Sequence, residues 1–179
     1  MRRIALVGGH PDTKLGAPYA DAEWTIWACS MQNMRAASDG GLEADLPRWN
    51  AWFELHTPMG LHVASGQVPD DYVAWLCHQP VVYVRDPAQA FAGARLYPEA
   101  EMRAKFGPFF FTSSIAYMLA LAISKEPTEI GLWGVGMHKH EEYEYQRPGC
   151  HYFIQRAWDH GIKVTSAEPS ILQPPQEKW

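Results

Sequence analysis

The side chains best suited to chemistry fall in a few short stretches. The most polar is "GVGMHKHEEYEYQRPGCHY", Gly134 to Tyr152. It holds His151, a candidate acid or base because imidazole titrates nearest neutrality. Tyr143 and Tyr145 are neutral donors that can hold a leaving phosphate without metal, and Arg147 can pair with phosphate through two N–H groups. His138, His140, Glu141 and Glu142 offer metal donors. They sit side by side, without the i, i+4 spacing of a helical zinc site, so a solvated charged loop is expected and no metal is assigned. His56 ends "FELH" and is either a second candidate base or a hydrogen-bonded structural residue.

"FTSS" sets Thr112, Ser113 and Ser114 in front of an uncharged apolar run. The N-terminus of a helix leaves N–H groups unpaired and carries partial positive charge, so it can bind phosphate or carboxylate. One hydroxyl is enough for a cap, and three suggest a ligand contact; capping alone remains the alternative. In "GGHPDTK", Gly8 and Gly9 let a backbone come close to a ligand. The stretch is neither Gly-x-Gly-x-x-Gly nor a P-loop, and a plain turn is the alternative. In "CSMQN", Ser30, Gln32 and Asn33 carry uncharged groups suited to a sugar or a base edge, unless Ser30 only caps a helix.

These stretches need a frame. "RIALVGG", "WTIWACS", "AWFELH", "VVYVRD", "EIGLWGV" and "IKVTSA" read as strands, apolar throughout rather than alternating. Between them, "DDYVAWLCHQ", "YPEAEMRAKFG", the run after "FTSS" and "CHYFIQRAWDHG" read as helices. Met31 to Pro47 is expected to be a helix and loop or a mobile segment. The alternation predicts an α/β fold: a single doubly wound, mainly parallel, Rossmann-like sheet of about six strands with helices on both faces. One domain is expected over 1–179, with a Pro-rich tail from about 168. Ligands of such sheets bind beyond the carboxyl ends of the strands, where the stretches above converge.

Bulk properties narrow the partners. The chain has 179 residues, 47% of them hydrophobic, enough for one core. A net charge of -5 argues against broad nucleic-acid binding. Three cysteines without a Cys-x-x-Cys motif suggest a reduced, cytoplasmic protein, and no stretch has membrane-spanning length. Trp24, Trp27, Trp49, Trp52 and Trp133 are expected in the core or its rim. The oligomeric state is open.

"FTSSIAYMLALAI", "TEIGLWGVGM" and "EYEY" together resemble the central motif of the bacterial sialyltransferases of glycosyltransferase family forty-two. "IALVGGHPD" is similar to that group's opening strand and turn. The pattern also resembles the motility accessory factor and archaeal pterin pyrophosphokinase groups. Across the whole chain, "WFELH", "FGPFFFTSS" and "EYEYQRPGCHYFI" resemble small tailed-phage proteins of unassigned function, which would place the chain in a host cytoplasm. The sialyltransferase resemblance implies a nucleotide, with cytidine as a candidate nucleoside, against Gly8, Gly9, Ser30 or Asn33, Thr112 and Ser113. It also implies metal-independent transfer with no required cofactor, Tyr143 and Tyr145 lying near the leaving phosphate. The family's acidic residue after the strand-end glycine is Gly136 here, and its turn serine is Asp12.

Three readings follow: a glycosyltransferase-like or nucleotide-cleaving transferase, a module that captures a nucleotide without turnover, and an interaction protein with an aromatic interface.

Overall fold

The computed structural model describes residues 2–56, 70–89, 91–137 and 141–173, apart from the side chains of Asp70, Gln89, Glu141, Glu142 and Tyr143. Its frame is a seven-stranded, all-parallel sheet, one strand more than the sequence suggests. Strand β1 (Arg3–Val7) lies between β2 (Trp24–Cys29) and β8 (Glu129–Trp133). Outward from β2 follow β5 (Ala51–Glu54), β6 (Val82–Val84) and β7 (Ala94–Leu96); outward from β8 lies β9 (Lys163–Ser166). The unforeseen strand is β7, three residues at the sheet edge.

The region from Met31 to Pro47 contains two short strands that the sequence does not suggest. A short 3-10 turn, Met31–Asn33, leads into an antiparallel pair, β3 (Met34–Ala36) and β4 (Leu42–Ala44). The turn between them contains Gly40 at φ 91°, a left-handed conformation that glycine adopts without strain.

Neighbouring residues of each strand point to opposite faces, and two separate cores result. Ile4, Leu6, Trp27, Phe53, Ile130 and Leu132 pack beneath α3 (Glu99–Phe106), α4 (Ser114–Ser124) and α5 (Glu141–Asp159). Ala5, Val7, Ile26, Trp52 and Val82 face the other way, towards α2 (Asp70–Cys77), where Tyr72 and Leu76 are buried. A single turn, α1 (Pro11–Lys14), follows β1. Both faces are covered, which is why the strands carry unbroken apolar runs.

Helix α4 is the keel of the larger core. Every residue from Ile115 to Ile123 is buried, and the helix lies across β1, β2 and β5. Ser113 has extended backbone (φ -155°, ψ 160°), and its hydroxyl accepts a bond from the Ala116 amide at 3.2 Å. The cap fixes where α4 starts and aims that start at the carboxyl edge of the sheet.

Trp24 meets Trp133 edge to face at 5.4 Å, while Trp49, Trp52 and Trp75 form one cluster. Among the described residues, no helix is long and apolar enough to cross a membrane.

Candidate functional site

A cleft of about 530 Å³ opens over the carboxyl ends of β6, β5, β2, β1 and β8, with the start of α4 above it. Gly8, Gly9, Ser30, His56, Thr112, Ser113 and Ser114, all singled out in the sequence, line this cleft. They come together because each directly follows a parallel strand or begins α4.

Gly8 also takes part in a close backbone approach. A Cβ on Gly8 would overlap the Gly134 carbonyl, and a Cβ on Gly134 the Gly8 carbonyl. Gly8 therefore serves the close approach of two loops as well as the cleft. Asn33 is fully buried and does not line the cleft; its Nδ2 donates to Gly8 O at 3.0 Å and Cys29 O at 2.7 Å. It ties the loop after β1 to the loop after β2. Ser30 lines the cleft at φ 81° and Met137 at φ 44°, both costly for non-glycine residues; Phe110, at φ 71°, lies just before the cleft-lining Phe111. Strain of this kind, about 1–3 kcal/mol per residue, gathers at functional sites.

The three hydroxyls of "FTSS" divide their work. Ser113 caps α4 and approaches Cys150 Sγ at 3.3 Å. Thr112 Oγ1 donates to Gln146 O at 3.0 Å, which ties the segment to α5. Ser114 opens the helix.

The strongest polar constellation runs back from His56. Its Nδ1–H donates to Glu54 Oε1 at 2.5 Å, and its backbone N–H donates to the same oxygen at 3.2 Å. The other oxygen, Oε2, accepts from the Tyr72 hydroxyl at 2.9 Å; that hydroxyl accepts from Trp52 Nε1 at 2.8 Å. Glu54 is only 3% exposed. A buried carboxylate of this kind needs partners on both oxygens, and it has them. Burial, then the charge of Glu54, raises the Tyr72 pKa well above the ordinary range, so Tyr72 stays a donor. With its Nδ1 proton held by Glu54, a neutral His56 carries its lone pair on Nε2.

Arg85 lines the cleft where β6 ends. Its Nε and one terminal nitrogen donate to the two oxygens of Glu99 at 2.9 and 3.1 Å, and its guanidinium lies 4.7 Å from the Tyr117 ring centre. Arg103 shares Glu99, so two cations face one carboxylate. Cys29 also lines the cleft, but its thiol is pushed up to about 12, first by burial and then by Glu54, so it is no nucleophile at neutral pH.

The polar segment after β8 behaves differently. Tyr145 is 71% exposed and does not line the cleft. Arg147 is turned away, donating to Ser170 O at 2.6 Å and Gln173 O at 3.4 Å. His151 bonds the backbone of Leu172; burial chiefly, with Arg147 nearby, lowers its pKa. His138 and His140, and the side chains of Glu141, Glu142 and Tyr143, lie outside what the structure describes. Among the described residues, no group of three or more metal-ligating side chains forms.

Sequence reasoning missed Glu54, Arg85 and His10 as site residues. A signal existed for each: Arg85 and His10 closely follow buried parallel strands, and Glu54 lies two residues before His56 on the same strand end.

The fold has solved counterparts. The chain is similar to the sialyltransferase CstII from Campylobacter jejuni in complex with cytidine-5'-monophosphate, with a TM-score of 0.56, 15% identity, and coverage of 94% of this chain and 80% of that chain. It is similar to CstII in complex with CMP-3FNeuAc, with a TM-score of 0.56, 16% identity, and coverage of 96% and 82%. A CST-II structure with trisaccharide acceptor and CMP gives a TM-score of 0.55, 13% identity, and coverage of 94% and 82%. At these identities the likeness is one of fold. No family model and no curated relative matches the chain, and the likeness to tailed-phage proteins gains no support there.

Proposed function

We propose that this protein binds a nucleotide or nucleotide sugar in the cleft and acts as a metal-independent, glycosyltransferase-like enzyme. The observation that carries this reading is His56, held by the buried Glu54, lining the same cleft as the α4 N-terminus and Arg85. In this reading His56 Nε2 takes the proton of an acceptor hydroxyl. Glu54 orients the ring and stabilises the imidazolium that results. The phosphate of the donor lies at the start of α4, where unpaired amides and the Arg85 guanidinium supply positive charge. Neighbours of the same fold hold CMP or CMP-3FNeuAc, which makes cytidine nucleotides the first to try.

A second reading, capture of a nucleotide without turnover, draws on the positions of Tyr145 and Arg147 outside the cleft. Those two side chains, offered by the sequence for the leaving phosphate, do not line the cleft.

Thermal unfolding against CMP, UMP, AMP, GMP and matching nucleotide sugars tests binding. A ligand at about a hundred times its Kd adds about 2.7 kcal/mol, and each kcal/mol moves Tm by about 2–4 °C at this size. A selective shift supports the nucleotide reading, and the absence of any shift overturns it. Release of free nucleotide from the matching sugar donor then separates enzyme from capture module.

A further inference from the structure

We infer that His10 contacts the nucleoside portion of the ligand, from the crevice between β1 and β8; the inference rests on the nucleotide reading above. The chain adds β2, β5, β6 and β7 on one side of β1, then returns to add β8 and β9 on the other. The order of the sheet therefore reverses between β1 and β8. Doubly wound sheets take their ligands in the crevice at that point.

The backbone there is already committed. The Gly8 amide donates to Trp133 O at 2.8 Å and the His10 amide to Gly134 O at 2.9 Å. The Gly134 amide donates to Thr13 Oγ1 at 2.9 Å. These three amides are not presented to a phosphate as a nest would present them. Among the described residues lining the cleft, the permanent cation is Arg85, which follows β6 on the far side of β5 and β2. Charge thus favours the Arg85 end for phosphate and leaves the crevice to uncharged polar groups.

His10 is placed to supply them. It lines the cleft, and its ring lies on Gly136: a Cβ at position 136 would stand 2.7 Å from His10 Cδ2 and 3.1 Å from Nε2. Any side chain at 136 would have to displace the imidazole. Nor does the ring hold the fold together through a hydrogen bond. Its Nδ1 is buried with no hydrogen-bond partner among the described residues, and the Asp12 carboxylate is 3.9 Å away. An imidazole offers a donor, an acceptor and a flat face, which suit a base edge or a ribose hydroxyl. Ser30 and Gln32, which follow β2 on the other side of β1, line the same cleft.

The test is calorimetric titration of the full chain with CMP, UMP, AMP and GMP. The unaltered protein, His10→Ala, His10→Asn and Gly136→Ala are compared. In His10→Ala, affinity for the preferred mononucleotide should fall by about tenfold, the scale of one lost hydrogen bond in a desolvated site. His10→Asn should recover part of the loss, and Gly136→Ala should weaken binding by displacing the ring. If His10→Ala binds as tightly as the unaltered protein, the inference fails while the nucleotide reading stands. If the unaltered protein binds none of the four, both fail. Should His10→Ala not fold, the ring 1H–15N signals of His10 in the unaltered protein answer the same question. They should move on saturation with the nucleotide, and unmoved signals overturn the inference.

Discussion

Glu54 and His56, two residues apart on one strand end, share a hydrogen bond of 2.5 Å between a carboxylate that is 3% exposed and an imidazole that lines the cleft. Their spacing follows from strand geometry. Side chains at i and i+2 lie on the same side, so a buried acid can hold a histidine just beyond the sheet edge. His56→Ala should cut turnover by about 10²–10⁴-fold and leave nucleotide affinity unchanged, measured as product formed and by calorimetry. Glu54→Gln keeps a hydrogen-bond acceptor but removes the charge. Its loss of turnover should be smaller than that of His56→Ala; an equal or greater loss would show that the acid does more than orient the ring and stabilise the imidazolium.

Tyr72 closes the other end of this chain of bonds. Tyr72→Phe leaves Glu54 Oε2 without its donor and Trp52 Nε1 without its acceptor. Each buried orphan costs about 1–3 kcal/mol, so urea unfolding should show a loss of at least the lower value. A variant as stable as the parent would mean that water takes over the role of the hydroxyl.

Gly149 is where α5 meets the entry to α4. A Cβ there would overlap Thr112 Oγ1 and the Phe110 carbonyl. Replacing a helical glycine with alanine normally gains about 1 kcal/mol, but overpacking costs about 1–3 kcal/mol. The clash should win, so Gly149→Ala should lower stability. It should also weaken nucleotide binding, because Thr112 would be pushed into the cleft. A rise in Tm would show that the segment yields freely.

Burial lowers the pKa of His151 from the ordinary 6.5. The native state therefore favours the neutral ring. This contribution to stability is complete above pH 6.5 and is lost as pH falls through the lowered native value. Denaturant midpoints taken from pH 7.5 down to pH 5 should fall, and His151→Gln should flatten that part of the profile. Parallel profiles for the two proteins would assign the acid sensitivity elsewhere.

The frame was legible in the sequence wherever a segment was buried on both sides. "RIALV", "WTIWAC" and "EIGLW" announce themselves by unbroken apolar runs. Strand β7 does not: it has three residues, and Arg95 and Leu96 are exposed. The β3–β4 pair is equally short, and no apolar period can develop over three residues. The site divides along the same line. Residues at strand ends, such as Ser30 and His56, could be placed because a parallel sheet puts all its carboxyl ends on one edge. Arg147 and His151 could not. The helix that the sequence suggests begins at Cys150, and Pro148 argues against an earlier start, yet α5 runs from Glu141 through it to Asp159. That helix turns Arg147 towards Ser170 and His151 towards Leu172 rather than towards the cleft.

The burial of α4 on every side sets how the molecule should respond to isotope labelling. A helix with no exposed face from Ile115 to Ile123 has no route to solvent short of opening the larger core. Its amide protons should exchange slowest of all and report the stability of the whole chain. Loop amides around Ser30 and Met137 should exchange through small local openings instead. A ligand in the cleft would then leave two separate marks: local protection where it touches, and a uniform slowing along α4 equal to its binding free energy.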